Sequence, residues 1–102
     1  MTDGAPVNGS VLLTHEVGLH ARPSVKLTKL AKGFSSKIEL AAAEGGPWID
    51  AKSIVKVMAA KAPKHTVLHF RAEGPDAEAA VAALIDLVQS DFPEQPSESA
   101  AR

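Results

Sequence analysis

The chain has 102 residues, a formal net charge of −1, 45% hydrophobic residues and no cysteine. One domain with one modest core fits that length, and the hydrophobic fraction favours a packed globule over disorder. The near-neutral charge argues against a nucleic-acid binder held by phosphate contacts, and the lack of cysteine excludes disulfides, a zinc ribbon and thiol catalysis.

Both ends read as flexible tails. Residues 1–9 contain Gly, Pro and Asn, and residues 93–102 are polar and interrupted by Pro93 and Pro96. The folded domain is therefore expected over residues 10–92. Met1 to Pro6 lacks the charged and apolar regions of a signal peptide. No apolar run approaches the roughly 20 residues that a membrane span needs. A cytoplasmic protein without direct membrane insertion is the expectation.

Val11-Leu12-Leu13 is a short apolar run suited to a strand. A helix is predicted from Ala21 to Lys32, with Leu30 and Phe34 continuing its apolar face. Gly33 then stands where a helix end wants a left-handed residue. Lys37 to Leu40 alternates polar and apolar residues, the pattern of a half-buried strand. Glu44-Gly45-Gly46-Pro47 signals a turn, after which Trp48 to Ala51 resumes as a strand. Trp48 alternates with Ile49 and Ala51 and is expected on the uncovered side of the sheet, as an exposed aromatic.

Ile54, Val55, Val57 and Met58 suit a short helix between Lys52 and Ala60, ended by Pro63. Thr66 to Glu73 alternates again, with Leu68, Phe70 and Ala72 on one face and His69, Arg71 and Glu73 on the other. Gly74-Pro75-Asp76 opens the last helix, and Asp76 and Glu78 sit at its positive dipole end. Ala77, Val81, Leu84, Ile85 and Val88 form its buried stripe. The order is βαββαβα. Strands with one apolar face, together with helices segregated to that face, predict an α+β open-faced sandwich. Its sheet would be four-stranded and antiparallel, with three helices on one side.

The chemistry concentrates in Gly18-Leu19-His20-Ala21-Arg22-Pro23. This places a histidine at the mouth of the first predicted helix. A helix N-terminus carries orphan N–H groups and the positive end of the macrodipole, which together attract phosphate. Imidazole is a good nitrogen nucleophile and a good leaving group, so His20 can itself carry a phosphoryl group. Arg22 offers a planar fork of donors to phosphate oxygens. Such a carrier needs an exposed, shallow site, because two different proteins must reach the same atom.

This hexapeptide between the first strand and first helix, in that element order, resembles HPr, the histidine-containing phosphocarrier of the bacterial phosphoenolpyruvate-dependent sugar phosphotransferase system. The likeness spans roughly Ser10 to Phe92. A second stretch, Asp50-Ala51-Lys52-Ser53-Ile54-Val55, is similar to the family's serine segment at the start of its second helix.

The resemblance implies that His20 accepts a phosphoryl group on Nδ1 from phosphorylated enzyme I and passes it to an enzyme IIA domain, with Arg22 stabilising the group. It implies that Gly18 allows a tight backbone approach before the histidine, and that Pro23 starts the helix where a missing N–H costs nothing. Ser53 matches the serine modified by an HPr kinase/phosphorylase in many members; read from its position alone, it is also a good N-cap. The first two helices would form the docking face through Ala21, Val25, Lys29, Ile54, Val55 and Met58. Arg22, Lys26, Lys29 and Lys32 would give it a basic flank that steers acidic partners.

No cofactor or metal is implied, nor a nucleic-acid partner, and a free docking face implies a monomer. The chain would be a stoichiometric carrier, not a stand-alone catalyst. The alternatives are a carrier in a nitrogen-related regulatory branch and a non-carrying module controlled by serine phosphorylation.

The chain departs from the family at Lys56, where many members have glycine, in the segment Ala59 to Lys64, and at Val17, where polar residues are common. His65 and His69, four apart in an expected strand, would lie ~13 Å apart along it, too far to share an ion. Both are expected as solvent-facing strand residues. His15 could approach His20 and modulate its charge near neutral pH.

Overall fold

The structure, a computed structural model, describes residues 6–14, 21–60, 62–90 and Phe92. Four strands and three helices alternate as β1 (Val7–Leu12), α1 (Ala21–Lys32), β2 (Lys37–Ala41), β3 (Ile49–Asp50), α2 (Ile54–Ala60), β4 (Val67–Glu73) and α3 (Ala77–Gln89). The strands form one antiparallel sheet in the order β1-β4-β2-β3. The expected βαββαβα open-faced sandwich is the observed fold. No helix among the described residues is long and apolar enough to cross a membrane.

β4 lies inside the sheet because both neighbours pair along it. Its partners run from Val7↔Ala72 to Leu12↔Val67 on one side and from Lys37↔Glu73 to Ala41↔His69 on the other. Leu68, Phe70 and Ala72 alternate onto the covered face and are buried. They join Val11, Leu13, Ile38 and Leu40 from the other strands, Leu27 and Ala31 from α1, Val57 from α2, and Ala80, Val81, Leu84 and Val88 from α3 in a single core. Ile85, expected in the buried stripe, is half-buried at its margin.

β1 begins at Val7, not at Val11 as expected, so Val7 to Gly9 belong to the sheet and not to the tail. The Asn and Gly that suggest a loose end have a packing reason. A Cβ on Gly9 would stand 2.6 Å from Ile85 Cδ1 and 2.8 Å from Val81 Cγ1. The missing side chain thus lets α3 come down onto β1. Residues 1–5 and 93–102, read as tails, lie outside the described residues.

Three further expectations change. Gly33 does not take the left-handed conformation. α1 instead closes with short bonds from Gly33 N to Leu30 O (3.0 Å) and from Phe34 N to Ala31 O (3.1 Å), which use carbonyls that would otherwise be orphaned. The strand expected over Trp48 to Ala51 reduces to Ile49–Asp50, preceded by a turn in which the Gly46–Pro47 bond is cis. Finally, His65 is not a strand residue. It sits in the turn before β4 with φ 77°, and its N–H donates to Leu13 O at 2.7 Å.

On the open face, Glu39 pairs with Arg71 in register, and Arg71 Nε donates to Glu39 Oε1 at 2.8 Å. The Arg71 guanidinium lies 4.2 Å from the centre of the Trp48 ring. Trp48 does belong to this side, but half-buried against Arg71 rather than isolated in solvent. The register places His69 opposite Ser10 and Ala41.

One carboxylate ties two connections together. Asp76 Oδ2 accepts from Ser35 N (2.9 Å), and Asp76 Oδ1 accepts from Ser36 N (2.8 Å) and Ser36 Oγ (2.5 Å). The Asp76 N–H donates back to Ser36 Oγ at 3.0 Å. Asp76 precedes α3 yet makes no capping bond to it, because its side chain is engaged across the α1–β2 connection. Gly74, at φ 143°, completes the joint: a Cβ there would meet Ser36 Oγ at 2.6 Å and Ser36 Cα at 2.8 Å.

The Ser36 hydroxyl, then the Ser35 N–H, hold the Asp76 carboxyl below its ordinary pKa of 3.8. A depressed folded-state pKa adds stability that is complete above the ordinary value and is lost as pH falls through the folded value. Asp76→Asn is therefore expected to lower the melting temperature near neutral pH, with the gap to the parent protein closing in acid below 3.8; thermal melts across that range check this. His65→Gly relieves the left-handed backbone but gains unfolded-state freedom, and a net stabilisation of about 0.5–1 kcal/mol is expected by denaturant titration.

Candidate phosphoacceptor site

α1 starts at Ala21, and its first turn contains no acidic residue. Its positive end is therefore not neutralised from within. Arg22 stands on that turn, exposed. Pro23 follows, buried, in the part of the helix where main-chain N–H groups have no intrahelical partner. The helix thus begins two residues before Pro23, which was expected to start it, and Arg22 and Pro23 both stand in its first turn. His20 and Gly18, the other site residues of the hexapeptide, lie outside the described residues, as do His15 and Val17.

α1 is anchored by Leu27 and Ala31 on its inner side. Two polar residues share that side, Ser24 and Thr28, both buried. Thr28 Oγ1 donates to Ser24 O at 3.0 Å; Val25 O is a second acceptor at 3.1 Å. Reading the sequence for apolar spacing alone passed over this pair. Their spacing of four, flanking Leu27 and preceding Ala31, was the available sign that they face inward. On the outer side, Arg22, Lys29 and Lys32 are exposed and Lys26 is half-buried, its Nζ 3.4 Å from Phe92 O. This is the basic flank expected from the spacing.

α2 packs beside α1. Its only buried residue is Val57, so Ile54, Val55 and Met58 turn elsewhere. Val55 is 73% exposed and Met58 41%, and across on α1 Val25 is 48% exposed. Ala21 and Lys29 are exposed too. Apolar side chains left in solvent on two packed helices, next to a row of cations, have the composition of an interface core and its rim.

Ser53 immediately precedes α2 and acts as its N-cap. Its Oγ accepts from Lys56 N at 3.3 Å, and its carbonyl accepts from Val57 N at 2.9 Å. Asp50 prepares the position: Asp50 Oδ1 accepts from Lys52 N at 2.9 Å, and Asp50 O from Ser53 N at 3.1 Å. Lys52 was missed as a contributor. Its Nζ donates to Phe34 O at 2.7 Å and so ties the lead into α2 to the end of α1. Lys56 is exposed, at the outer surface of α2.

Arg22, Ala21, Val25, Lys29, Ile54, Val55 and Met58 thus stand on two helices in contact, with Ser53 at the start of the second. His69, by contrast, lies on the open face of the sheet. Among the described residues no cluster of three or more His, Cys, Asp or Glu could hold a metal ion.

A family model described as "PTS HPr component phosphorylation site" matches residues 7–90. The multiphosphoryl transfer protein of Vibrio cholerae is 48% identical over 68 residues, which span 66% of this chain and 17% of that longer protein. Phosphocarrier protein NPr of Escherichia coli K12 is 35% identical over 86% of this chain and 97% of its own. The crystal structure of an HPr from Thermoanaerobacter tengcongensis superposes with a TM-score of 0.79 at 34% identity, covering 86% of this chain and 97% of that one. Matched by family model, sequence and fold over nearly all of its folded residues, the chain belongs to the HPr family of phosphotransferase-system phosphocarriers.

Proposed function

We propose that this phosphocarrier takes a phosphoryl group on Nδ1 of His20 from phosphorylated enzyme I and delivers it to an enzyme IIA domain. The observation that carries this reading is the start of α1, with no acidic residue in its own first turn and bearing Arg22, on a helix that packs against α2 and, like it, exposes apolar side chains. His20 directly precedes that helix start in the chain.

In acceptance, the lone pair on Nδ1 forms the new N–P bond while the donor's bond to phosphorus breaks and the donor keeps the electron pair. Delivery is the reverse, with the imidazole as leaving group. Phosphoryl transfer of this kind needs positioning and charge stabilisation more than covalent chemistry. The helix start and the Arg22 guanidinium supply charge stabilisation with few residues. The patch formed by Ala21, Val25, Ile54, Val55 and Met58 would seat successive partners, with Lys29 on the rim steering acidic surfaces. A face that must dock two partners in turn favours a monomer.

Ser53 is the proposed regulatory phosphosite, for a kinase of the HPr kinase/phosphorylase type. A phosphoryl group there would add about −2 charge next to Ile54 and Val55 and repel an acidic partner without breaking the helix start. The acceptor decides the branch. An enzyme IIA that feeds a sugar permease makes this a transport carrier, and a IIA that feeds no permease makes it a regulatory one.

His20→Ala is expected to abolish phosphoryl acceptance from phosphoenolpyruvate and enzyme I while leaving the thermal melt intact. Mass spectrometry would show an acid-labile HPO₃ adduct on the parent protein and none on the variant. Ser53→Asp is expected to slow acceptance, while Ser53→Ala costs about 1 kcal/mol of stability, the worth of a lost N-cap. Equal transfer rates for Ser53→Asp and the parent protein would leave Ser53 as a helix cap alone.

A further inference from the structure

A groove of about 370 Å³ lies between α2 and the connection from β2 to β3. Leu40 and Ile49, partners in register on adjacent strands, belong to its lining, with Ala42 from the connection and Ala59 and Ala60 from α2. Leu40 is fully buried, whereas Ile49, Ala42 and Ala60 are half-buried, so the groove reaches from the core to the surface. Lys56 is the one charged residue that lines it, and all the others are apolar. Its volume falls in the range of clefts that receive a ligand.

The walls of the groove are small. Alanine is the best helix former, so propensity explains Ala59 and Ala60. It does not explain Ala42, which lies in neither a helix nor a strand. A larger apolar residue there would bury more surface and favour folding. Stability alone gives no reason for the space.

Two observations indicate what fills it. The first is continuity. Met58 and Val55 are three apart on α2, and Val55 and Ala59 four apart, so each is the next one's neighbour on the helix surface. All three are exposed. The apolar strip proposed to dock partners therefore continues over Ala59 to the groove. The second is charge. Lys56 is exposed and is the only charged residue of α2, and among the described residues no acid pairs with its ammonium group. The occupant that suits both is apolar at its tip and acidic beside it.

We propose that the docking surface of this phosphocarrier extends across α2 into the groove. A protein partner inserts a large apolar side chain there, with a neighbouring carboxylate meeting Lys56. The proposal deepens the reading above, by naming what the partner presents, and rests on it. Side chains anchored in such pockets carry a large share of interface energy. A cation at the rim adds steering of the acidic partner.

The test titrates the full chain, labelled at its methyl groups for NMR, with enzyme I and separately with an enzyme IIA domain. Ile49 reports on the groove, and Val55 and Met58 report on the rest of the docking surface. The Ile49 signal is expected to shift in step with the other two for at least one of these partners. Ala60→Leu fills the groove from its own wall. It is expected to keep or raise the melting temperature through added burial, yet to weaken that partner's binding about tenfold. Lys56→Gln is expected to slow association and flatten its salt dependence. A silent Ile49 beside shifting Val55 and Met58, with both partners, overturns the proposal and leaves the docking reading standing. A folded Ala60→Leu variant that binds both partners as tightly as the parent protein also overturns it. Ile49 shifts that grow with the chain's own concentration, before any partner is added, assign the groove to a second copy and overturn it too. If none of the three signals responds to either partner, the docking reading fails, and the proposal with it.

Discussion

The sheet has one apolar face, and everything else in the molecule follows from covering it. Leu68, Phe70 and Ala72 on the inner strand β4 cannot remain in water, nor can Ile38 and Leu40 beside them. Burial of such side chains is the dominant favourable contribution to folding. α3 lies across β1, β4 and β2, and α1 and α2 pack together to complete the layer. The position where α1 begins, and with it the site, is a consequence of how Leu27 and Ala31 seat against that sheet.

Polar joints then fix what burial alone would leave adjustable. Hydrophobic contact sets which faces meet but is not directional. The Asp76 carboxylate is directional: it holds Ser35 and Ser36 and so locks the end of α1, the start of β2 and the lead into α3 into one arrangement. Lys52 does the same between the end of α1 and the lead into α2. Both joints lie at the end of α1 opposite the start where the site is read. They tie down α1 and α2, the two packed helices on which Val25, Val55 and Met58 are exposed.

The same division runs through function. The outward side of α1 and α2 carries exposed apolar and cationic residues that stability does not require, and the inward side carries Ser24, whose buried hydroxyl has no hydrogen-bond partner. Departures from what packing alone would choose therefore mark both faces of α1, the helix whose start is read as the phosphoryl site.

Much of this was legible in the chain. Period-two alternation marked β2 and β4, period-3.6 spacing marked α1 and α3, and the local chemistry of a Pro-started basic helix pointed to phosphate, because each of these is set by residues close in sequence. The extent of β1 was not legible, since Asn8 and Gly9 carry loop preferences locally and join the sheet only because α3, some seventy residues on, needs the space above Gly9. The end of α1 at Gly33, the left-handed turn at His65, and the partners of Asp76 and Lys52 were hidden for the same reason. Sequence alone determined the order of the elements and their buried faces, and it supplied the residues proposed to carry and stabilise a phosphoryl group. Tertiary structure decided which distant groups meet, and so which polar side chains are satisfied and which, like Ser24, are left over, because hydrogen bonds between segments exist only once the apolar face has drawn them together.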